Sequence, residues 1–289
     1  MYILFDIGGT KMRIARSGDE IAFDEPLRFE TPAIFEEGIK EIKSAVTALA
    51  GGEKILGMVG GIAGTLDEAN TTLVNSTHLP QWIGKPLKKQ LEKIFETDIL
   101  IENDSALAGL GEAHCGAGKD SEIVAYITVS TGVGGARIIK GVLDQSRFGF
   151  EPGHQIITAG GAHCLECDTV KAQHTSLKSL DDIISGTAVE RRFGRKPYDI
   201  PQHDPLWNQL AYLLAVGLNN TTVHWSPDVV ILGGSMILGD PSIPMVDIER
   251  FFNNIVTIFP KKPLLRKANL KDSGGLYGAR ILLKQQYGI

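Results

Sequence analysis

Three glycine-rich turns, each reached from an apolar run, are where this chain could hold a charged ligand. They are Asp6-Ile7-Gly8-Gly9-Thr10, Ser130-Thr131-Gly132-Val133-Gly134-Gly135 and Leu232-Gly233-Gly234-Ser235. With no Cβ in the way, backbone N–H groups of such turns can converge on an anion, and threonine hydroxyls add donors. Any one of them alone reads more simply as a tight turn, which is glycine's ordinary use. As a set they point to phosphate. Asp6 stands just ahead of the first glycine pair, where a carboxylate could hold Mg²⁺ through water beside a nucleotide. None of the turns has the Walker A pattern or the full G-x-G-x-x-G spacing of dinucleotide-binding folds.

A second constellation is Ile101-Glu102-Asn103-Asp104-Ser105-Ala106, an apolar run that meets polar residues and then a small-residue helix. Asn103 or Asp104 could simply cap that helix. The chemical reading is a carboxylate at a strand end, placed to take a proton from a hydroxyl. A third lies at Glu151-Pro152-Gly153-His154, followed by His163-Cys164-Leu165-Glu166-Cys167 and His174. Glu151 and His154 suit hydrogen bonding to vicinal hydroxyls. His154, Cys164, Cys167 and His174 are also a candidate tetrahedral Zn²⁺ set. Cys115, among small residues, reads as an ordinary buried thiol.

The elements that must position these residues follow from periodicity. Residues 2–15 read as a strand, a Gly-Gly turn and a second strand, and residues 123–139 repeat that grammar. Residues 34–50 place Ile39, Ile42, Val46 and Leu49 at helical spacing, and Gly51-Gly52 end the helix. Further strands are expected at 54–62, 98–101 and 228–232, and further helices at 86–95, 206–224 and 277–286. Strands alternating with helices give an α/β class. Two hairpins, each opening one half of the chain, predict two domains of related topology. The first is expected over 1–107, completed by a C-terminal helix at 277–289, and the second over 108–276.

Composition narrows the partners. The 289 residues are 43% hydrophobic and 22% charged, an ordinary globular balance. A net charge of -5 argues against nucleic acid as the main partner. Apolar runs such as 229–232 are far shorter than the roughly 20 residues of a membrane span. The opening residues lack a basic leader, and three cysteines fit a reducing compartment, so a cytoplasmic protein is expected.

With these residues in view, the chain resembles the ROK family (repressors, open reading frames and kinases) of the actin-like ATPase superfamily. The resemblance runs through FDIGGTK at 5–11, GGIAGTLD at 60–67, LPQWIGKPL at 79–87 and IENDSALAGLGE at 101–112. It continues in VSTGVGGARIIKG at 129–141, EPGH at 151–154, ISGTAVERRFG at 184–194, VVILGGS at 229–235 and YGARILL at 277–283. It implies two ribonuclease-H-like domains with nucleotide in an interdomain cleft that closes over a sugar. By the family's pattern Gly8, Gly9, Thr10 and Lys11, with Thr131 and Gly132, would hold the phosphates of ATP beside Mg²⁺. Gly233 and Gly234 would flank the adenosine. Asp104 would be the catalytic base, with Gly64, Asn103, Glu151 and His154 around the sugar. The expected activity is ATP-dependent phosphorylation of a hexose or N-acetylhexosamine, with glucose first and fructose or N-acetylmannosamine as variants, in a homodimer. Family repressors carry a DNA-binding segment ahead of the first phosphate motif. Here that motif opens the sequence, so an enzyme is expected over a regulator.

One motif departs from the pattern. The family's C-x-C-G-x-x-G-C-x-E is replaced by Cys164, Cys167 and a longer polar stretch. Counting back from Ser185-Gly186 puts Ser179 at the last cysteine and Asp181 at a sugar-contacting glutamate. Zinc in a rearranged loop and an empty, polar-packed loop both remain open, and Asp181 is carried forward as a sugar contact. Three rival functions stay in view. An acyl-kinase-like enzyme would leave the Glu151–His154 motif without vicinal hydroxyls to bind. A non-catalytic sugar sensor would have little need of Asp104. A structural module would leave the coincidence of glycine turns and carboxylates unexplained.

Overall fold

Tyr2–Ile7 is buried at all six positions, as a strand covered on both faces must be. The computed structural model describes residues 1–18, 22–159 and 177–288, and its backbone contacts divide the chain into two units. The first comprises Met1–Glu122, Arg137–Phe150 and Asp272–Ile289, and the second Ile123–Ala136 and Glu151–Lys271.

In the first unit β1 (Tyr2–Ile7), β2 (Lys11–Ser17), β3 (Leu27–Glu30), β4 (Gly57–Ile62) and β5 (Ile99–Asn103) form one sheet in the order β3-β2-β1-β4-β5. The hairpin β1–β2 is antiparallel with Asp6 opposite Arg13, and β4 and β5 run parallel to β1. Side chains alternate across a strand. Ile3, Phe5 and Ile7 therefore pack with α1 (Phe35–Ala50) and α2 (Leu87–Phe95), through Ile39, Ile42, Val46 and Leu91. Tyr2 and Leu4 face the C-terminal helix Gly274–Tyr287, meeting Leu276, Ala279 and Leu283. Gly51, at φ 54, closes α1 by donating its N–H to Thr47 O, the stop read from the sequence.

Helix α3 (Asp104–Cys115) lies whole within this unit, so the boundary expected at 107/108 falls inside a continuous helix. The reason is close packing on the C-terminal helix. A Cβ at Gly278 would stand 1.8 Å from Leu107 O, and one at Gly111 would stand 2.4 Å from Gly274 O. Only glycine permits that backbone approach, and it starts the C-terminal helix at Gly274, earlier than the expected 277.

The second sheet is built from β6 (Ile123–Val129), β7 (Val133–Ile139), β8 (Val142–Leu143), β9 (Val229–Gly233) and β10 (Leu264–Lys267), in the order β8-β7-β6-β9-β10. In chain order both sheets thus read 3-2-1-4-5. In the second unit Ile127, Val129, Val230 and Leu232 pack with Leu210, Leu214 and Leu218 of the helix Pro205–Trp225, and with Ile248 and Phe252 of the helix Met245–Ile255. Asp204 caps the longer helix through a bond from Leu206 N, ahead of Pro205 at its first position.

Candidate active site

In the first unit the turn after β1 is held from two sides. Gly8 N donates to Lys11 O at 3.0 Å, while Thr31 donates its hydroxyl to Gly8 O at 2.7 Å and its N–H to Thr10 O at 2.9 Å. The segment 76–79 lies directly on the turn, because a Cβ at Gly9 would stand 2.3 Å from His78 Cβ. Ser76 anchors that segment by donating to Ala63 O at 2.8 Å. Asp6 is buried beside the turn, with its Oδ2 2.9 Å from Arg13 Nη1. Arg13 Nη2 reaches Asp272 at 3.3 Å. Burial pushes the Asp6 carboxyl above its usual range, and the Arg13 guanidinium only partly opposes this. A hard carboxylate oxygen next to a phosphate-type turn fits Mg²⁺ held through water, and Arg13 occupies one of the two oxygens.

The strand end of β5 settles which residue caps α3. Asn103 is the cap, its Oδ1 accepting from Ala106 N at 3.0 Å while its Nδ2 donates to Gly64 O at 2.9 Å. Gly64 has φ 129 and no room for a Cβ, which would stand 2.4 Å from Asn75 O. Asp104 stands next to the cap, at the first helical position. It opens the helix with Oδ1 accepting from Ser105 N at 2.8 Å. Gly64, Asn103 and Asp104 are brought together within one unit. Beside them Glu102, which the sequence reading passes over, accepts from Asn103 N at 2.8 Å and from Asn70 Nδ2 at 3.1 Å. Burial raises its carboxyl above the usual range in spite of those two bonds. The only sequence signal for Glu102 is a charged residue inside a strand; its partner lies 32 residues away.

In the second unit Ser130–Gly132 link β6 and β7. Ser130 O accepts from Gly186 N at 2.7 Å and Thr131 O from Thr187 N at 3.2 Å, so the first turn of the helix Gly186–Phe193 supports this turn. Asp181 Oδ1 accepts from Val133 N at 2.6 Å. Ser130 Oγ and Ser235 Oγ stand 3.1 Å apart, joining this turn to Gly233-Gly234. Glu151 precedes the 3₁₀ turn Pro152–His154, and a Cβ at Gly153 would stand 2.0 Å from Val133 O. His154 Nδ1 is 3.8 Å from Glu151 Oε2. Asp181, Gly153 and the phosphate-type turn thus meet at the start of β7. Lys11, the remaining candidate, is exposed at the start of β2.

Of the candidate zinc ligands, Cys164, Cys167 and His174 lie outside the described residues. Among the described residues no group of three or more His, Cys, Asp or Glu is placed to hold a metal, and no helix is long and apolar enough to cross a membrane.

A sheet order repeated in both halves of the chain, with glycine turns after the first strand of each, defines an actin-like ATPase fold. The chain belongs to the ROK family, whose model matches residues 2–286. It is 26% identical over 305 residues to an N-acetyl-D-glucosamine kinase of Citrobacter koseri, covering 98% of this chain and 99% of that one. Among solved structures it is similar to a ROK family glucokinase from Streptomyces griseus in complex with glucose and AMPPNP. There the TM-score is 0.79 at 25% identity, over 98% of this chain and 99% of the other. A ROK family transcriptional regulator, a homologue of the E. coli MLC protein, shares the fold with a TM-score of 0.79 at 15% identity, over 99% of this chain and 78% of its own.

Proposed function

We propose that the chain is an ATP-dependent sugar kinase that phosphorylates a hydroxyl of a hexose or N-acetylhexosamine, with glucose the first substrate to try. The observation that carries this is the division of labour at the end of β5. Asn103 caps the helix and donates to Gly64 O, and this sets the Asp104 carboxylate beside that pair at the first helical position. A kinase needs such a carboxylate, because a neutral hydroxyl is a poor nucleophile until a base accepts its proton.

In the proposed reaction Gly64, Asn103, Glu151 and His154 bind the sugar, while Asp181, accepting from Val133 N, orders the turn at Thr131-Gly132. The amides of Gly8, Gly9 and Thr10, with Lys11, Thr131 and Gly132, hold the phosphates, and Gly233 and Gly234 flank the nucleoside. Mg²⁺, when bound near Asp6, supplies positive charge to the phosphate oxygens. Asp104 takes the hydroxyl proton as that oxygen bonds to the γ-phosphorus. The bond from γ-phosphorus to the β-phosphate oxygen breaks, ADP leaves, and Asp104 returns its proton to solvent. Most of the rate comes from positioning and charge neutralisation. We place the enzyme in the cytoplasm as a homodimer, on the family resemblance.

Because a transcriptional regulator shares the fold, a sugar sensor without turnover is the rival to test. ADP release with Mg-ATP over a panel of aldoses, ketoses and N-acetylhexosamines separates the two. Turnover on one sugar, falling about 10²–10⁴-fold in Asp104→Asn with sugar binding kept, is expected of a base. Binding without turnover in the wild type would move the assignment to a sensor.

A further inference from the structure

Two successive residues at the end of β5 reach the same hairpin-like segment, residues 64–75. Asn103 holds its base, through Nδ2 to Gly64 O at 2.9 Å. Glu102 holds its tip, through Oε2 to Asn70 Nδ2 at 3.1 Å, with Oε1 taken by Asn103 N at 2.8 Å. The tip is internally ordered. Asp67 N donates to Thr72 O at 3.0 Å and Asn70 N to Asp67 O at 2.9 Å, and Thr71 gives the Asp67 carboxylate two bonds of 2.7 Å. Asn70 sits at φ 52, the left-handed region that asparagine tolerates better than most residues.

The chemistry at Glu102 is specific to a carboxylate. Both groups that meet it are N–H donors, so the side chain there must offer two acceptors and no donor. Glutamine has one acceptor oxygen and would turn an NH₂ toward one of the two donors. A shorter acid would reach only one. Retaining a charge in a half-buried place costs free energy, and the two N–H donors that meet it offset part of that cost.

We propose that Glu102 and Asn70 are a positioning pair for the acceptor sugar: they fix the 64–75 segment on the strand end, and so fix Gly64 against Asn103. This rests on the kinase reading above. Neither residue touches the sugar or the nucleotide. Their loss acts through Gly64 and Asn103 and spares the phosphate turns.

The test is a double-mutant cycle of Glu102→Gln and Asn70→Gly, the glycine chosen because it keeps the left-handed backbone. Sugar KM is expected to rise about tenfold in either variant, the size of one lost bond to a charged group, with kcat and ATP KM within about twofold. The double variant is expected to be little worse than either single one, as for two ends of one interaction. Hydrogen exchange of the 64–75 amides, read on the unliganded protein, is expected to quicken in both. Equal loss on the sugar and ATP sides, or additive effects in the cycle, would overturn the pairing. Unchanged exchange would overturn the clamp itself. A wild type silent on every sugar would instead overturn the kinase reading, with the exchange result still deciding the clamp.

Discussion

Asp6 and Arg13 face each other in register across the first hairpin, with Arg13 Nη1 2.9 Å from Asp6 Oδ2. A strand pairing thus delivers a counter-charge to the buried carboxylate that precedes the first phosphate-type turn. Arg13→Gln leaves that carboxylate buried without its cation, and breaking such a pair costs about 3 kcal/mol. The Asp6 carboxyl already lies above its usual range through burial, and losing Arg13 raises it further. The folded state then binds a proton that the unfolded chain releases, so stability falls as pH rises between the unfolded and folded values. Thermal unfolding is expected to show a gap between wild type and Arg13→Gln that is wide at pH 8 and narrower at pH 5. A gap independent of pH would mean that the arginine acts by packing alone.

Asp181 stands where family resemblance expects a sugar contact, yet its Oδ1 accepts from Val133 N at 2.6 Å, beside the Thr131-Gly132 turn. With one oxygen so engaged, the residue shapes the phosphate side. Asp181→Ala is expected to raise ATP KM by roughly tenfold, the worth of a hydrogen bond to a charged acceptor, and to leave sugar KM within about twofold. Steady-state kinetics with each substrate varied separately decides this. A rise confined to sugar KM would restore the direct sugar contact.

What could be read from the sequence was local or periodic. Parallel strands buried on both faces leave apolar runs, so β1, β4 and β9 are visible, and Gly51 marks the end of α1 within one turn. The glycine turns are visible because their conformations exclude other residues. Hidden from the sequence is anything that depends on which distant residues meet. Asp181 reaches Val133 across 48 positions and Asn70 reaches Glu102 across 32. The choice between Asn103 and Asp104 as helix cap was equally closed, since both residue types cap well and only side-chain geometry separates them. The early start of the C-terminal helix follows from glycines pressed against α3, a tertiary cause with no periodic trace.

Gly9 permits segment 76–79 to lie on the first phosphate-type turn, since a Cβ there would stand 2.3 Å from His78 Cβ. Gly9→Ala must displace the turn or that segment, and overpacking of this kind costs about 1–3 kcal/mol. The expected result is a lower melting temperature together with a raised ATP KM. Shortening the neighbour by His78→Ala cannot relieve a clash with a Cβ, so the double variant is expected to melt no higher than Gly9→Ala. Recovery in the double variant would mean that the ring, and not the backbone path, limits the space.

Gly233 and Gly234 close the second unit's turn for different reasons, and the difference can be measured. A Cβ at Gly233 would stand 2.4 Å from the hydroxyl of Tyr126, the far end of a side chain, whereas one at Gly234 would stand 2.2 Å from Val129 O. Gly234 also has φ 86, which strains any residue with a Cβ. Tyr126→Phe removes the nearest atom that opposes Gly233→Ala and leaves ring carbons at 3.1 and 3.2 Å, so the pair is expected to regain part of the melting temperature and nucleotide affinity lost by Gly233→Ala alone. No side-chain change removes a carbonyl oxygen. Gly234→Ala in the Tyr126→Phe background is therefore expected to stay as damaged as it is alone, with nucleotide affinity read by calorimetry with ADP. Rescue of Gly234→Ala by Tyr126→Phe would show that the strand end moves as one piece, and that the space at this turn is governed by Tyr126 and not by the β6 backbone.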